Sequence, residues 1–178
     1  SLFPPQVQAK VFAALKEQWE FSDGLEFTSE ANPETVTDEK AAAWKAMGIN
    51  RVSLGVQSTN QVALDLLDRR VSREAIPRAV SLLRNAGLDN FSCDLIFGIP
   101  GQSNEDVIAD IDRIVELGPQ HISSYHLTLK PGHPLFKQLP DEDRAGDLYE
   151  LVMDALEARG FKQYEISNFA RPGKESRH

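Results

Sequence analysis

A helical pattern that ends in glycine and leads into a short apolar stretch recurs along this sequence. It occurs in the segments AMGINRV, NAGLDNF and ELGPQHI, and again in ARGFKQY near the end. Glycine closes a helix at such a position because it adopts the left-handed conformation without a Cβ penalty. A repeated order of strand, helix, glycine and strand is typical of parallel βαβ units. The sequence therefore predicts an α/β fold.

Four short strands fit this order, each bounded by turn or capping residues. They are predicted at residues 25–31, 51–58, 91–98 and 121–128. Apolar side chains spaced by three and four residues predict the helices that connect them. These helices are expected at 5–20, 38–47, 73–86 and 104–117, with a short extra helix at about 60–68 and a last one at 143–159.

Each predicted strand has one apolar side and one polar side. Because side chains alternate across a strand, Glu30, Gln57 and Asp94 fall on the polar sides of the first three. Parallel strands that are covered on both faces usually read as nearly continuous apolar runs. A polar side on every strand instead predicts a barrel, with helices outside and the polar faces around a hollow.

Ligands of such folds bind at the carboxyl ends of the strands. Glu30, Gln57 and Thr128 fall at those ends, and Asp94 lies deeper on the same parity. On the fourth strand we assign Thr128 to the polar side together with His126. Two carboxylates in one hollow raise each other's pKa unless a cation or hydroxyl donors intervene, and a ribose offers two such donors. Polar groups that bond only to one another are the alternative.

Composition excludes several other classes of protein. The net charge of −8 argues against a broad nucleic-acid surface, and no apolar run approaches the roughly 20 residues that span a bilayer. With Cys93 as the single cysteine, no internal disulfide or cysteine metal site is expected, and a reducing, cytoplasmic setting fits. The spacing of His121, His126 and His133 matches no standard ligand pattern, so no metal site is predicted.

Six segments occur in one order and spacing that is specific to a known family: EANP, RVSLGVQS, LDRR, DLIFGIPGQ, HISSYHL and YEISNFARPG. The sequence resembles the radical S-adenosylmethionine (SAM) proteins of the oxygen-independent coproporphyrinogen III oxidase family (HemN/HemW-like), in particular its haem-chaperone branch. The resemblance implies a partial (β/α)6 TIM-like barrel with four parallel βα units. It implies a truncated barrel core at residues 1–140, followed at 141–178 by a helix and a short C-terminal strand.

The resemblance also implies residues that hold SAM. Glu30 stands where the family's acid accepts hydrogen bonds from the ribose hydroxyls, Arg69 suits the methionine carboxylate, and Ile96 is an adenine contact. The full set of implied SAM-binding residues is Glu30, Gln57, Arg69, Asp94, Ile96 and Thr128.

The sequence departs from the family at its reactive centre. The family carries a 4Fe–4S cluster on a C-x-x-x-C-x-x-C segment, and this sequence has no such motif. We therefore expect a fragment that lacks the first two strands and the cluster loop, with no catalytic residue and no bound cofactor of its own. Val71 stands where chaperone-type members commonly carry His. His178 opens the segment implicated in haem binding and is a candidate haem ligand.

The resemblance implies a parent protein of haem or porphyrin metabolism, with SAM and a porphyrin or haem as its small-molecule partners. In the oxidase a 5′-deoxyadenosyl radical starts the decarboxylation of propionate side chains, whereas the chaperone carries haem. Two alternatives remain open: a haem-binding carrier without radical catalysis, and a phosphate-binding (β/α) barrel lyase that uses the turn at 98–101. An exposed sheet edge at 25–31 predicts self-association.

Overall fold

The computed structural model describes residues 3–69 and 71–177, and their strands form one six-stranded sheet. The strands run in the spatial order β1-β2-β3-β4-β6-β5. The first four are parallel, and the last two form an antiparallel hairpin that adds to β4. Their bounds are β1 (Thr28–Ala31), β2 (Arg51–Gln57), β3 (Phe91–Phe97), β4 (His121–His126), β5 (Lys162–Glu165) and β6 (Asn168–Ala170).

Six α-helices connect and flank these strands within the described ranges. They are α1 (Pro5–Gln18), α2 (Asp38–Met47), α3 (Gln61–Leu66), α4 (Ala75–Asn85), α5 (Asn104–Glu116) and α6 (Glu142–Ala158). Their ends follow local signals: Ser103 and Asp106 form a reciprocal capping box at the start of α5. Gly48, with φ of 93°, closes α2 in the left-handed conformation. Pro77 falls in the first turn of α4, where its missing N–H leaves no hydrogen bond unmade.

The hydrophobic core lies between the apolar sides of the parallel strands and the helices that cover them. Trp44 of α2, Leu83 of α4, Ile111 of α5 and Leu156 of α6 are fully buried there. Cys93 belongs to the same layer and is a free, buried thiol. A mostly parallel sheet with helices on its apolar side confirms the predicted α/β partial barrel.

The C-terminal region differs from the prediction of one short strand. The structure has two strands, β5 and β6, joined by a tight turn at Ile166 and Ser167. Ser167 takes a φ of 69°, a conformation that is usually marked in sequence by Gly or Asn. Because this turn contains neither residue, the sequence gives no signal for a chain reversal, and its pattern predicts a single strand.

Helix α1 and Trp19, which follows it directly, leave large apolar side chains exposed to solvent. Val7 is 44% exposed, Val11 55% and Trp19 61%, and no residue of the helix is buried. Phe12 is the exception in part, since its ring packs edge to face against Phe27 at 4.2 Å between centroids. Within residues 3–69 and 71–177, no helix has both the length and the apolar character needed to cross a membrane.

Candidate functional site

The polar sides of the first three strands meet in one hollow. Glu30, Ser53, Gln57 and Asp94 line a cleft of about 290 Å³, which adjoins a second cleft of about 440 Å³ through three of the same residues. The strand register explains the convergence, because Glu30 pairs with Ser53 and Asp94 lies two residues beyond the partner of Ser53. The predicted convergence of Glu30, Gln57 and Asp94 is therefore confirmed.

Asp94 is the most enclosed carboxylate of this hollow. The Ser53 hydroxyl donates to both of its oxygens, at 3.0 and 3.1 Å. Burial raises the pKa of Asp94, and the negative charge of Glu30 raises it further. Hydrogen bonds from Ser53 and Ser123 and the charge of Arg51 oppose that rise without cancelling it. The site therefore favours a guest that donates hydrogen bonds or carries positive charge.

Gln57 reaches the hollow from a distorted end of β2. The pairing of β2 with β3 shifts register between Leu54 and Gln57, and Gln57 itself has a φ of 68°. A Cβ atom at Gly55 would lie 3.0 Å from Nε2 of Gln57 and 3.3 Å from Oδ1 of Asn32. Glycine at position 55 thus leaves the space that the two side-chain amides occupy. Bulges of this kind commonly aim a side chain beside a binding site.

The predicted parity of β4 is wrong. Asp94 pairs with Ser123, and it is Ser123 and Tyr125 that line the hollow. His126 pairs with Phe97 and packs on that ring at 5.4 Å, on the other side of the sheet. The segment HISSYHLT carries polar residues at both parities, so its alternation cannot say which side faces inward. Only the register with β3 decides it.

Three further residues implied by the family resemblance lie outside both clefts. Thr128 follows the end of β4, is exposed, and donates to the carbonyl of His126 at 3.4 Å. Arg69 follows α3 and is exposed, with its backbone N–H bonded to the carbonyl of Leu64. Ile96 is half-buried and pairs with Tyr125. Their roles stay predictions, and His178 lies outside the described residues.

A buried histidine lies at the floor of the hollow, although the sequence pattern led us to consider it only as a metal ligand. His121 is 1% exposed; its Nδ1 lies 2.8 Å from the Ser92 hydroxyl and its Nε2 lies 2.9 Å from the Tyr164 hydroxyl. Burial raises the pKa of Tyr164, although the backbone N–H of Ser176 donates to its oxygen and partly offsets this. The sequence shows that Ser92 lies on the same side of β3 as Asp94. It does not show that Ser92 pairs with His121, because that depends on the register between β3 and β4.

The C-terminal segment closes the amino-terminal end of the hollow. The Ser176 hydroxyl accepts from Nη1 of Arg51 at 2.7 Å and donates to Glu26 at 2.8 Å, and Arg51 and Glu26 form an ion pair at 3.4 Å. Burial alone would raise the pKa of Glu26, but Ser176, the backbone N–H of Arg177 and the charge of Arg51 hold that pKa below its usual value. Nε of Arg51 is buried and has no partner among the described residues.

Two backbone donors of the turn at 98–101 are already hydrogen-bonded within the turn. The side-chain oxygen of Gln102 accepts from the backbone N–H groups of Gly98 and Ile99, at 3.0 and 3.3 Å. The ring of His126 lies 2.7 Å from the position of a Cβ on Gly98, whose φ is 75°. The glycine at 98 is therefore explained by a tight turn against a ring, and two of the donors that the phosphate-binding alternative would use are already bonded.

The described residues fit a nucleoside better than an iron–sulfur cluster. Across 3–69 and 71–177, no three His, Cys, Asp or Glu side chains are grouped so as to hold a metal ion. Cys93 is on the apolar side of β3, and burial raises the pKa of its thiol. Carboxylates and an amide that converge on a polar hollow are, by contrast, groups that bind ribose hydroxyls and sulfonium charge.

Comparison with known proteins places the chain in a family. Residues 1–114 match the model of the Radical SAM superfamily, and the chain belongs to that superfamily. Proteins of this family use SAM and a 4Fe–4S cluster. Within it, the chain is related to the haem chaperone HemW.

Several of the curated relatives are haem chaperones of bacteria. The chain is 36% identical to Heme chaperone HemW of Lactococcus lactis, across 100% of this chain and 49% of that protein. It is 39% identical to HemW of Escherichia coli, across 86% of this chain and 41% of that protein. The chain spans about half the length of the curated relatives it matches.

Solved structures share the fold. Coproporphyrinogen III oxidase (HemN) from Escherichia coli superposes with a TM-score of 0.85 at 24% identity, across 96% of this chain and 41% of that one. The archaeal Elp3 of Methanocaldococcus infernus superposes with a TM-score of 0.65 at 24% identity, across 72% of this chain and 32% of that one. These matches confirm the radical SAM barrel architecture.

Glu26 and Asp94 are expected to affect stability with opposite signs. Because the pKa of Glu26 is lowered, its ionised form stabilises the fold above its unfolded pKa, and that contribution is lost as pH falls through the lowered value. Because the pKa of Asp94 is raised, its ionisation opposes folding at neutral pH. We expect E26Q to lower the free energy of unfolding by about 1–2 kcal/mol at neutral pH, and D94N to leave it unchanged or raise it by up to about 1 kcal/mol.

Urea unfolding at neutral pH and at about pH 3 measures these differences, which should shrink in acid as both carboxyls become protonated. E150Q, at an exposed position in the middle of α6, is the matched control and should change neither value. Equal destabilisation by E26Q and D94N, independent of pH, would contradict the assignment of opposite signs.

Proposed function

We propose that this chain supplies part of the SAM-binding wall of a longer radical SAM protein of haem or porphyrin metabolism. The observation that carries the proposal is the convergence of Glu30, Gln57 and Asp94 on one hollow. Glu30 offers a carboxylate to the ribose hydroxyls, and the amide of Gln57 can both donate and accept. Adjoining clefts of about 290 and 440 Å³ suit a small-molecule ligand.

The charge of the hollow supports a cationic guest. Glu30 and Asp94 face the same space, and the charge of Glu30 helps to raise the pKa of Asp94. The sulfonium of SAM carries a positive charge, which would relieve this repulsion and favour the ionised form of Asp94. A nucleoside with a neutral sulfur would gain only the hydrogen bonds.

The chemistry of the cluster belongs to the longer protein. In radical SAM proteins the cluster supplies the electron that cleaves SAM, and the described residues of this chain offer no ligands for it. The part of this chain is to bind and orient the nucleoside. We propose that the chain alone lacks catalytic activity.

The haem-chaperone function is favoured over the oxidase. The relatives at 36% and 39% identity are named as haem chaperones, whereas the oxidase structure matches at 24%. On this proposal His178 is a haem ligand of the longer protein. Cys93, a buried free thiol, is consistent with a reducing compartment, and we place the protein in the cytoplasm.

The first test is SAM binding by the full-length protein. Isothermal titration calorimetry under anaerobic conditions, without reductant, should show that E30Q binds SAM about tenfold more weakly than wild type, because the amide lacks the charge and one acceptor oxygen. E39Q removes a carboxylate from an exposed helix and should bind as wild type does. Unchanged affinity in E30Q would refute the role of Glu30.

The second test separates chaperone from oxidase. Haem titrated into the full-length protein should give a saturable Soret band, and H178A should shift or abolish it. H133A removes an exposed histidine and serves as the matched control. Assays for 5′-deoxyadenosine and for decarboxylated porphyrinogen run in parallel; conversion of coproporphyrinogen III without stable haem binding would favour the oxidase.

We also propose that this chain self-associates through the open edge of β1. Within the described residues β1 pairs on one side only, with β2. The N–H and C=O groups of Phe27 bond to residues 50 and 51 beside it, so alternation turns the N–H of Thr28 towards the open edge. Unpaired groups on an edge strand are a template for another chain.

Light scattering of the 178-residue chain tests this edge. Wild type should gain mass with concentration, and T28P should stay monomeric because proline removes the outward N–H while leaving the ladder with β2 intact. E39Q, at an exposed position of α2, is the control and should gain mass with concentration as wild type does. A wild-type chain that is monomeric at high concentration would contradict self-association.

A further inference from the structure

We propose that Asp110 of α5 is a positioning residue for the ligand hollow and acts through a strained turn at Gln57. Asp110 lines neither cleft, so it has no direct contact with a guest in the hollow. The inference rests on the proposed function, because Gln57 is the group that Asp110 positions.

The strain lies at Gln57 itself. Its φ is 68°, and the N–H of Ser58 donates to the carbonyl of Val56 at 2.9 Å, across the single residue between them. A three-residue turn with positive φ at its central residue is rare and strained. A glutamine keeps such a conformation only when its surroundings hold it there, and strain of this kind clusters at ligand sites.

Asp110 provides the restraint directly after the strained residue. One carboxylate oxygen accepts from the Ser58 hydroxyl at 2.7 Å, and the other accepts from the backbone N–H of Thr59 at 2.8 Å and from the Thr59 hydroxyl. Asp110 is 3% exposed, and a buried carboxylate is costly unless it is hydrogen-bonded in this way. The three bonds hold the side chains of the two residues that follow Gln57 and the backbone of the second.

The rest of the same helix face completes the attachment. Asp106, Asp110 and Arg113 are spaced by four and three residues, which places them on one face of α5. Nη1 of Arg113 donates to the Thr59 hydroxyl at 3.1 Å, and the side chain of Asn60 is hydrogen-bonded to Asp106. The segment that follows β2 is thus held by a helix whose first turn is fixed by its own capping box.

The direction of this turn decides where the amide of Gln57 points. In the structure it lies over Gly55, inside the cleft that Glu30 and Asp94 also line. If the restraint at Ser58 and Thr59 is released, the backbone of Gln57 can relax to a negative φ. The side chain then leaves that position, although every residue of the hollow is still present.

A double-mutant cycle on SAM affinity tests the coupling in the full-length protein. The four proteins are wild type, Q57A, D110N and Q57A/D110N, titrated with SAM anaerobically without reductant. D110N should weaken binding about tenfold when Gln57 is present and less than about twofold in the Q57A background, since a residue that acts through another has no effect without it. The same loss in both backgrounds would overturn the proposal.

Controls separate positioning from loss of fold. D112N changes an aspartate on a different face of α5, which pairs with Arg159 at the surface. This variant should bind SAM as wild type does. If D110N unfolds at the assay temperature, S58A removes one of the three bonds and should show a smaller loss of the same kind, again absent in the Q57A background. Hydrogen exchange at the Thr59 amide should rise in D110N and not in Q57A.

Failure of the proposed function gives a different result. If wild type does not bind SAM at all, both the proposed nucleoside site and the role of Asp110 are refuted. If wild type and D112N bind SAM but the effects of Q57A and D110N simply add, the nucleoside site stands and the role of Asp110 is refuted.

Discussion

The structure depends on the cost of holding carboxylates on the inner side of a parallel sheet. Asp94 lies between neighbouring strands where water is limited, and burial and the charge of Glu30 raise its pKa. Hydroxyl groups of Ser53 and Ser123 compensate in part, as does the charge of Arg51. An apolar residue at position 94 would avoid the cost of burying a carboxylate. The polar side of β1 to β3 therefore fits the proposed binding of a guest that supplies the missing compensation.

The same constraint explains the closure at the floor. Arg51 is 8% exposed as a side chain and Glu26 12%, so neither charge is well hydrated. Ser176 forms a hydrogen bond with each of them, from 150 residues further along the chain than Glu26. Hydrogen bonds to charged groups contribute about 1.5–3 kcal/mol each. This contact therefore ties the C-terminal segment to residues at the start of β2 and just before β1.

Local alternation predicted the inward sides of β1, β2 and β3, because each of those strands has polar residues at one parity. It failed for β4, where Ser123 and Ser124 offer a polar group to either side and only the pairing with β3 decides. It also missed the turn at Ser167, whose positive φ has no glycine to mark it. The links from Ser176 to Glu26 and from Asp110 to Thr59 join residues distant in sequence, and no local pattern encodes such contacts.

The turn at Gln57 links the helical layer on one side of the sheet to the ligand hollow on the other side. Asp110 belongs to the helical layer, yet its bonds fix the residues that follow Gln57, and Gln57 faces the hollow. A strand interior could not make this connection, since its side chains alternate between layers and each serves one side only. A residue at the end of a strand can make this connection, because its side chain faces the hollow while the backbone that follows it is bonded to the helical layer. Strain at Gln57 is therefore consistent with a site whose geometry is set before the ligand arrives, so that less ordering is required on binding.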